Sequence, residues 1–195
     1  MRRWLLVFAL VLASTGCDRG AQTLAFRATD ITGAEFAKDL QLTDFNGTPR
    51  RLSDFRGKVV VVFFGYTHCP DVCPTTLAEL AAAVRTLGPA GEKVQVLFVT
   101  ADPERDTPEV LKQYVTAFNP TFLGLRGTQE ETERVAKDFK TIILKNPGAD
   151  PNNYTVDHSS GTYIYDGGGK LRLYVGYGQG PEVFAHDIGL LLKSG

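Results

Sequence analysis

Methionine is all but missing from this chain of 195 residues: Met1 is the only one. A leader that takes Met1 with it leaves no thioether ligand, which excludes an electron carrier of the Met-ligated blue-copper kind. Charge of one sign is not in excess either. Lysine and arginine number 21 against 22 acids, a formal charge of −1, and losing Arg2 and Arg3 leaves −3. No nucleic acid is therefore expected as a partner. Long hydrophobic runs are lacking: the apolar stretch from Trp4 to Ala13 falls well short of the ~20 residues that a membrane-spanning helix needs. There are no repeats or low-complexity tracts, and the length allows one domain with a large core.

What the amino-terminus has is the pattern of an export signal. Arg2 and Arg3 precede the short apolar stretch, and Ser14-Thr15-Gly16-Cys17 comes after it. Cys17 after small residues resembles a bacterial lipoprotein processing site, with Ser14 where leucine is usual, and Asp18 behind it implies retention at the inner membrane. The expectation is a domain at the periplasmic face of a bacterial inner membrane, held to the membrane by an N-terminal lipid on Cys17. The alternative is a cleaved signal or uncleaved anchor with an incidental Cys17. The expected organisation is a leader over 1–17, a small, polar tether over 18–29 and one domain over 30–195.

Export leaves two cysteines, Cys69 and Cys73, in an oxidising compartment, where they close to a disulfide unless reduced or occupied by metal. They lie where a buried strand runs into a helix. Val59-Val-Val-Val-Phe-Phe64 is a continuous apolar run, the mark of a strand covered on both faces of a parallel sheet. Gly65 to His68 make a short connection. From Pro74 onward Leu77, Leu80, Ala81, Val84 and Leu87 recur at helical spacing. At a helix N-terminus the macrodipole favours thiolate over thiol. Residues four apart on a helix share a face, about 5–6 Å between Cβ atoms, so the pair can chelate a soft metal ion or close into a disulfide.

The rest of the chain alternates. Leu40 to Asp44 and Arg50 to Phe55 flank a turn at Phe45-Asn-Gly-Thr-Pro49, a hairpin. Val94 to Thr100 reads as a second buried strand. Thr107-Pro108-Glu109 opens a helix whose apolar stripe is Leu111, Tyr114, Val115 and Phe118. Thr128 and Glu131 form a capping box for another, running to about Phe139. A short strand at Thr141 to Leu144 leads into the turn-rich loop Asn146 to Asn153. Thr162 to Tyr165 and Leu171 to Val175 flank Asp166-Gly-Gly-Gly169, a second hairpin, and Pro181 opens a final helix with Phe184, Ile188 and Leu191 facing inward. This order is that of an α/β, thioredoxin-like fold with an N-terminal hairpin extension and an inserted helix.

Of the three histidines, His186 lies on the far side of its helix from Phe184 and Ile188, and His68 neighbours Cys69, whose adjacent position disfavours a shared ion. His158 comes after the long loop and directly precedes the hairpin. Asp102, ending a buried strand, is either a cap before Pro103 or an outer support of the site. Asp71 is either a turn stabiliser between the cysteines or such a support.

From about Asp30 to the last helix the chain resembles the Sco/SenC family of copper-binding proteins. The resemblance is carried by Asp30-Ile-Thr-Gly33, Gly57-Lys-Val-Val60, Phe64-Gly-Tyr-Thr-His-Cys-Pro-Asp-Val-Cys-Pro-Thr-Thr-Leu77, Asp102-Pro-Glu-Arg-Asp-Thr-Pro-Glu109 and Tyr154-Thr-Val-Asp-His158. It implies copper, as Cu(I) or Cu(II), on Cys69, Cys73 and His158. It also implies a metallochaperone, not an enzyme, for the copper A centre of cytochrome c oxidase. The implied partners are the oxidase subunit carrying that centre, a periplasmic thiol reductant and another copper chaperone. Two thiolates and an imidazole make a soft, low-coordinate site suited to Cu(I). The alternative is a thiol–disulfide oxidoreductase with Cys69 and Cys73 as its redox pair, reducing the cysteines of a copper-site partner.

Overall fold

A computed structural model describes residues 24–150 and 153–194. The expected leader, Cys17 and most of the expected tether lie outside the described residues.

In chain order the elements are β1 (Thr29–Asp30), β2 (Gln41–Asp44), β3 (Pro49–Arg51), β4 (Val59–Gly65) and α1 (Val72–Thr86). Then come β5 (Val94–Thr100), α2 (Pro108–Phe118), β6 (Leu123–Arg126), α3 (Gln129–Asp138), β7 (Ile143–Asp150) and β8 (Asn153–His158). The chain closes with β9 (Thr162–Tyr165), β10 (Leu171–Val175) and α4 (Pro181–Ser194). Eight strands make one sheet in the order β1-β10-β9-β4-β5-β6-β2-β3, while β7 and β8 pair only with each other. β4, β5 and β6 are parallel, and β9 returns antiparallel beside β4. The fold is thioredoxin-like, with the β2–β3 hairpin added at one edge.

Every residue of β4 and β5 is buried. Along β4 alternate side chains serve two cores. Val59, Val61 and Phe63 pack with Leu77 and Leu80 of α1, Leu111 and Val115 of α2, and Phe184 and Ile188 of α4. Val60, Val62 and Phe64 pack on the other face with Val135 of α3, Phe139 and the short turn carrying Leu52 and Phe55. Each such side chain is worth roughly 1.5–3 kcal/mol when fully withdrawn from water, so the central strands are the most firmly fixed part of the molecule.

The structure refines the expected elements at four places. The run Arg50 to Phe55 is not one strand arm: β3 ends at Arg51 and Leu52–Phe55 turns as a 3-10 helix that buries Leu52 and Phe55. Helix α1 begins at Val72, so Pro74 stands in its first turn, where a missing N–H leaves no partner wanting. β6 is a strand without a sequence signal, because Leu-Gly-Leu-Arg is too short to show a period. The loop from Asn146 is largely strand. Its Pro147 and Gly148 fall where the β7–β8 register slips between Asn146 and Asp150, and a bulge in an isolated pair is where proline is tolerated. A Cβ on Gly148 would lie 1.4 Å from the carbonyl oxygen of Asn153, so only glycine permits this approach.

Candidate metal centre

β4 ends at Gly65, in the middle of the sheet, so the chain must turn there over the sheet edge. Tyr66 to Cys69 make that turn, with the Cys69 N–H donating to the Tyr66 carbonyl at 3.2 Å. Cys69 is half-buried and stands before the helix, while Cys73 is fully buried in the first turn of α1. The two thiols therefore do not share a helical face as the spacing suggested; the turn carries one and the helix the other. Gly65 makes room beneath them, since a Cβ there would lie 2.8 Å from Cys73 Sγ and 2.7 Å from Phe98 Cε2.

His158 ends β8, and β9 leads back into the sheet beside β4, which returns the histidine to the edge where the cysteines stand. Its Nε2 lies 3.3 Å from Cys73 Sγ. Its Nδ1 is 3.1 Å from the Ser159 carbonyl, a contact that requires Nδ1 to carry the proton and leaves the Nε2 lone pair facing the thiols. Phe63 and Tyr66 hold the ring edge-on, each with centroids 6.1 Å away. The sulfur atoms of Cys69 and Cys73 and a ring nitrogen of His158 all lie within 4.8 Å of one another, a group that could hold a metal ion. A cleft of about 450 Å³, lined by Tyr66, Cys69, Pro70, Val72, Val156 and His158, opens onto them.

Burial sets the protonation of these groups. It holds the His158 imidazole below its usual range, so the ring is neutral and able to donate its lone pair. It also pushes the Cys73 thiol up, against the backbone hydrogen bond at Tyr66 that favours the thiolate. In the metal-free protein desolvation thus outweighs the helix N-terminus, contrary to the thiolate expected there. A bound cation would reverse the balance.

The other candidates separate cleanly. His68 is exposed, 3.2 Å from Thr67 Oγ1, and outside the group. His186 pairs through Nδ1 with the buried Asp187 at 2.7 Å. Asp71 is exposed on the rim of the cleft, outside the three-residue group, and accepts from the Thr75 hydroxyl at 3.4 Å. Asp102 is buried and accepts from the Tyr154 hydroxyl at 2.8 Å. Asp106, which sequence reasoning does not single out, is fully buried. It accepts from the Thr67 and Thr100 hydroxyls, each at 2.6 Å, and so pins the turn that leads to Cys69. Before Thr107-Pro108 it reads as ordinary helix-start chemistry, and the one signal that could have found it is its place in the Asp102 to Glu109 stretch that carries the family resemblance.

A thioredoxin-like domain with a Cys-Cys-His group at its sheet edge defines a class, that of metal-handling domains on a redox fold. Comparison with known proteins gives the family: the model of SCO1/SenC matches residues 28–193, and the chain belongs to the SCO1/SenC family. The "Protein SCO2 homolog, mitochondrial" of Bos taurus is 36% identical over 193 residues, covering 92% of this chain and 73% of that protein. Its Mus musculus counterpart is 37% identical, over 77% of this chain but only 60% of its own length. Among solved structures, Bradyrhizobium japonicum ScoI with copper bound superposes with a TM-score of 0.71 at 38% identity, covering 77% of this chain and 96% of that one.

These relatives correct the expected location. The bovine and mouse proteins are mitochondrial, so a bacterial inner membrane with its periplasmic face does not follow from the chain. An arginine-led leader occurs in secretory and organellar targeting segments alike, and does not discriminate between them. The lipid expected on Cys17 falls outside the described residues, among which no helix is long and apolar enough to cross a membrane.

Proposed function

We propose that this chain is a copper metallochaperone that holds one copper ion through Cys69, Cys73 and His158 and serves assembly of the copper A centre of cytochrome c oxidase. The observation that carries the reading is the convergence of two sulfurs and one imidazole nitrogen within 4.8 Å. Copper here is cargo. Two thiolates and a neutral imidazole give a ligand charge of −2, hence net −1 with Cu(I) and neutrality with Cu(II). Soft sulfur donors suit Cu(I), and the imidazole suits both states. A structural zinc site would want a fourth ligand, and the group offers three.

The asymmetry of the site suits transfer. Cys73 is closed off at the helix, whereas Cys69 lies half-buried on the cleft and can be replaced by an incoming thiol first. A thiol of the oxidase subunit that carries the copper A centre would take the ion by stepwise ligand exchange. A separate thiol reductant would keep the pair reduced, since a disulfide offers no anionic sulfur.

A thiol–disulfide oxidoreductase is the second reading, favoured by the same free pair with one accessible sulfur. His158 at 3.3 Å serves either reading, as a third ligand or as the base that takes the Cys73 proton; what favours copper is that all three donor atoms converge on one point. The test is a copper titration of the reduced protein beside a disulfide-reductase assay. Stoichiometric binding without appreciable reductase turnover supports the chaperone; turnover without binding supports the oxidoreductase.

A further inference from the structure

The third ligand sits on an element that packs Tyr154 and Val156 on the core but is not hydrogen-bonded into the main sheet. β7 and β8 pair with each other and with no strand of the eight-stranded sheet. At the base the hairpin is closed by Ile142 and Ser159, whose backbone groups and Ser159 Oγ exchange hydrogen bonds of 3.0 Å. Further out it is tied to the segment after β5 through Tyr154. The Tyr154 hydroxyl donates to Asp102 Oδ1 at 2.8 Å, and its carbonyl accepts from Arg105 Nη1 at 3.0 Å. The Arg105 guanidinium lies 3.6 Å from the centre of the Tyr154 ring while its Nε binds Asp102 Oδ2 at 2.5 Å. Lys145 approaches the same ring at 3.9 Å and reaches Glu104 at 2.6 Å. Arg105 also stands 5.8 Å from the ring of Tyr66, one of the two aromatics against the His158 imidazole.

We infer that Arg105 and Tyr154 form a clasp that fixes the β7–β8 hairpin and thereby sets the reach of His158 to Cys73, a positioning pair for the third ligand of the copper site. The inference rests on the copper reading above. Neither residue touches the ligand atoms. Both act through the backbone of one short, self-paired hairpin whose last residue is His158. Arg105 Nη2 is buried without a partner, so the closed clasp leaves one donor unsatisfied that water would reach if the hairpin lifted. Two thiolates alone can hold Cu(I), whereas Cu(II) depends more on the imidazole. Opening the clasp therefore discriminates between oxidation states.

The test uses Arg105→Gln and Tyr154→Leu in the full chain, reduced and metal-free for amide exchange, then loaded with Cu(I) or Cu(II). Loss of a desolvated cation–π contact and a charge-assisted hydrogen bond predicts exchange about tenfold faster in residues 143–158. Exchange in Val59–Gly65 stays unchanged. Cu(II) affinity falls by a similar factor and its thiolate absorption shifts, while Cu(I) affinity stays within about threefold. If Arg105→Gln does not fold, Tyr154→Leu decides alone. Unchanged hairpin exchange, acceleration spread evenly into the central strands, or fast hairpin exchange with unaltered Cu(II) affinity each overturns the clasp. A parent protein that binds no copper overturns the proposed function instead, and the metal-free exchange still reports on the clasp.

Discussion

Cys73 Sγ and His158 Nε2 stand 3.3 Å apart across 85 residues of sequence. One is fixed in the first turn of a helix packed on the central strand; the other ends a hairpin outside the main sheet. With one thiol on a turn, one on a helix and the imidazole on a separate hairpin, the copper reading predicts that the sulfurs provide affinity and the histidine completes the shell.

Replacing either sulfur should remove high-affinity copper. Cys69→Ser or Cys73→Ser deprives a soft ion of half its anionic ligands. Competition titration against a Cu(I) chelator is expected to show loss of stoichiometric binding in each single variant. Full binding by the double variant would contradict the ligand assignment.

Oxidation should act like a double substitution. With Cys69 and Cys73 joined, neither sulfur is anionic, and the oxidised protein is expected to take up no copper until a reductant is added. Equilibrium dialysis of oxidised and reduced samples checks this.

Copper affinity should fall as pH falls through the near-neutral range. Burial raises the Cys73 thiol, so this group is protonated in the metal-free protein and must surrender its proton on binding. The His158 imidazole, lowered by burial, is already neutral and releases none. The expected slope is about tenfold in affinity per pH unit for each proton displaced, read by titrations in buffers of different pH. A pH-independent affinity would contradict the thiol as ligand.

The elements of this fold differ in how plainly the sequence announces them. β4, β5, α2, α3 and α4 are legible because an unbroken apolar run, a helix-opening proline or a cap at Thr107 or Thr128 marks them. Both caps close as expected, on Val110 and Glu131. Of β7 only the start is legible, in the short strand expected at Thr141 to Leu144, because Pro147 and Gly148 signal a turn and only the register slip reconciles them with pairing. The buried Asp106 and the Tyr154–Arg105 contact are invisible for another reason. Thr67 lies 39 residues from Asp106 and Tyr154 lies 49 from Arg105, and no local period encodes such contacts. His158 joins the cysteines only through resemblance to a family, since nothing in the spacing of 85 residues pairs it with Cys73.

Gly65→Ala tests the packing under the thiols. The added methyl would meet Phe98 Cε2 at 2.7 Å and Cys73 Sγ at 2.8 Å, with the ring held inside the core. Overpacking of this kind costs about 1–3 kcal/mol, and displacement of Cys73 should weaken copper binding alongside it. Urea denaturation and the Cu(I) titration, run on the same variant, are expected to move together.

X-ray absorption at the copper edge, on reduced protein loaded with one equivalent of Cu(I), tests the ligand set most directly. Two sulfur scatterers and one nitrogen are expected in the parent, with the nitrogen lost and both sulfurs kept in His158→Ala. A shell without sulfur, or one unchanged when His158 is replaced, would contradict copper held by Cys69, Cys73 and His158.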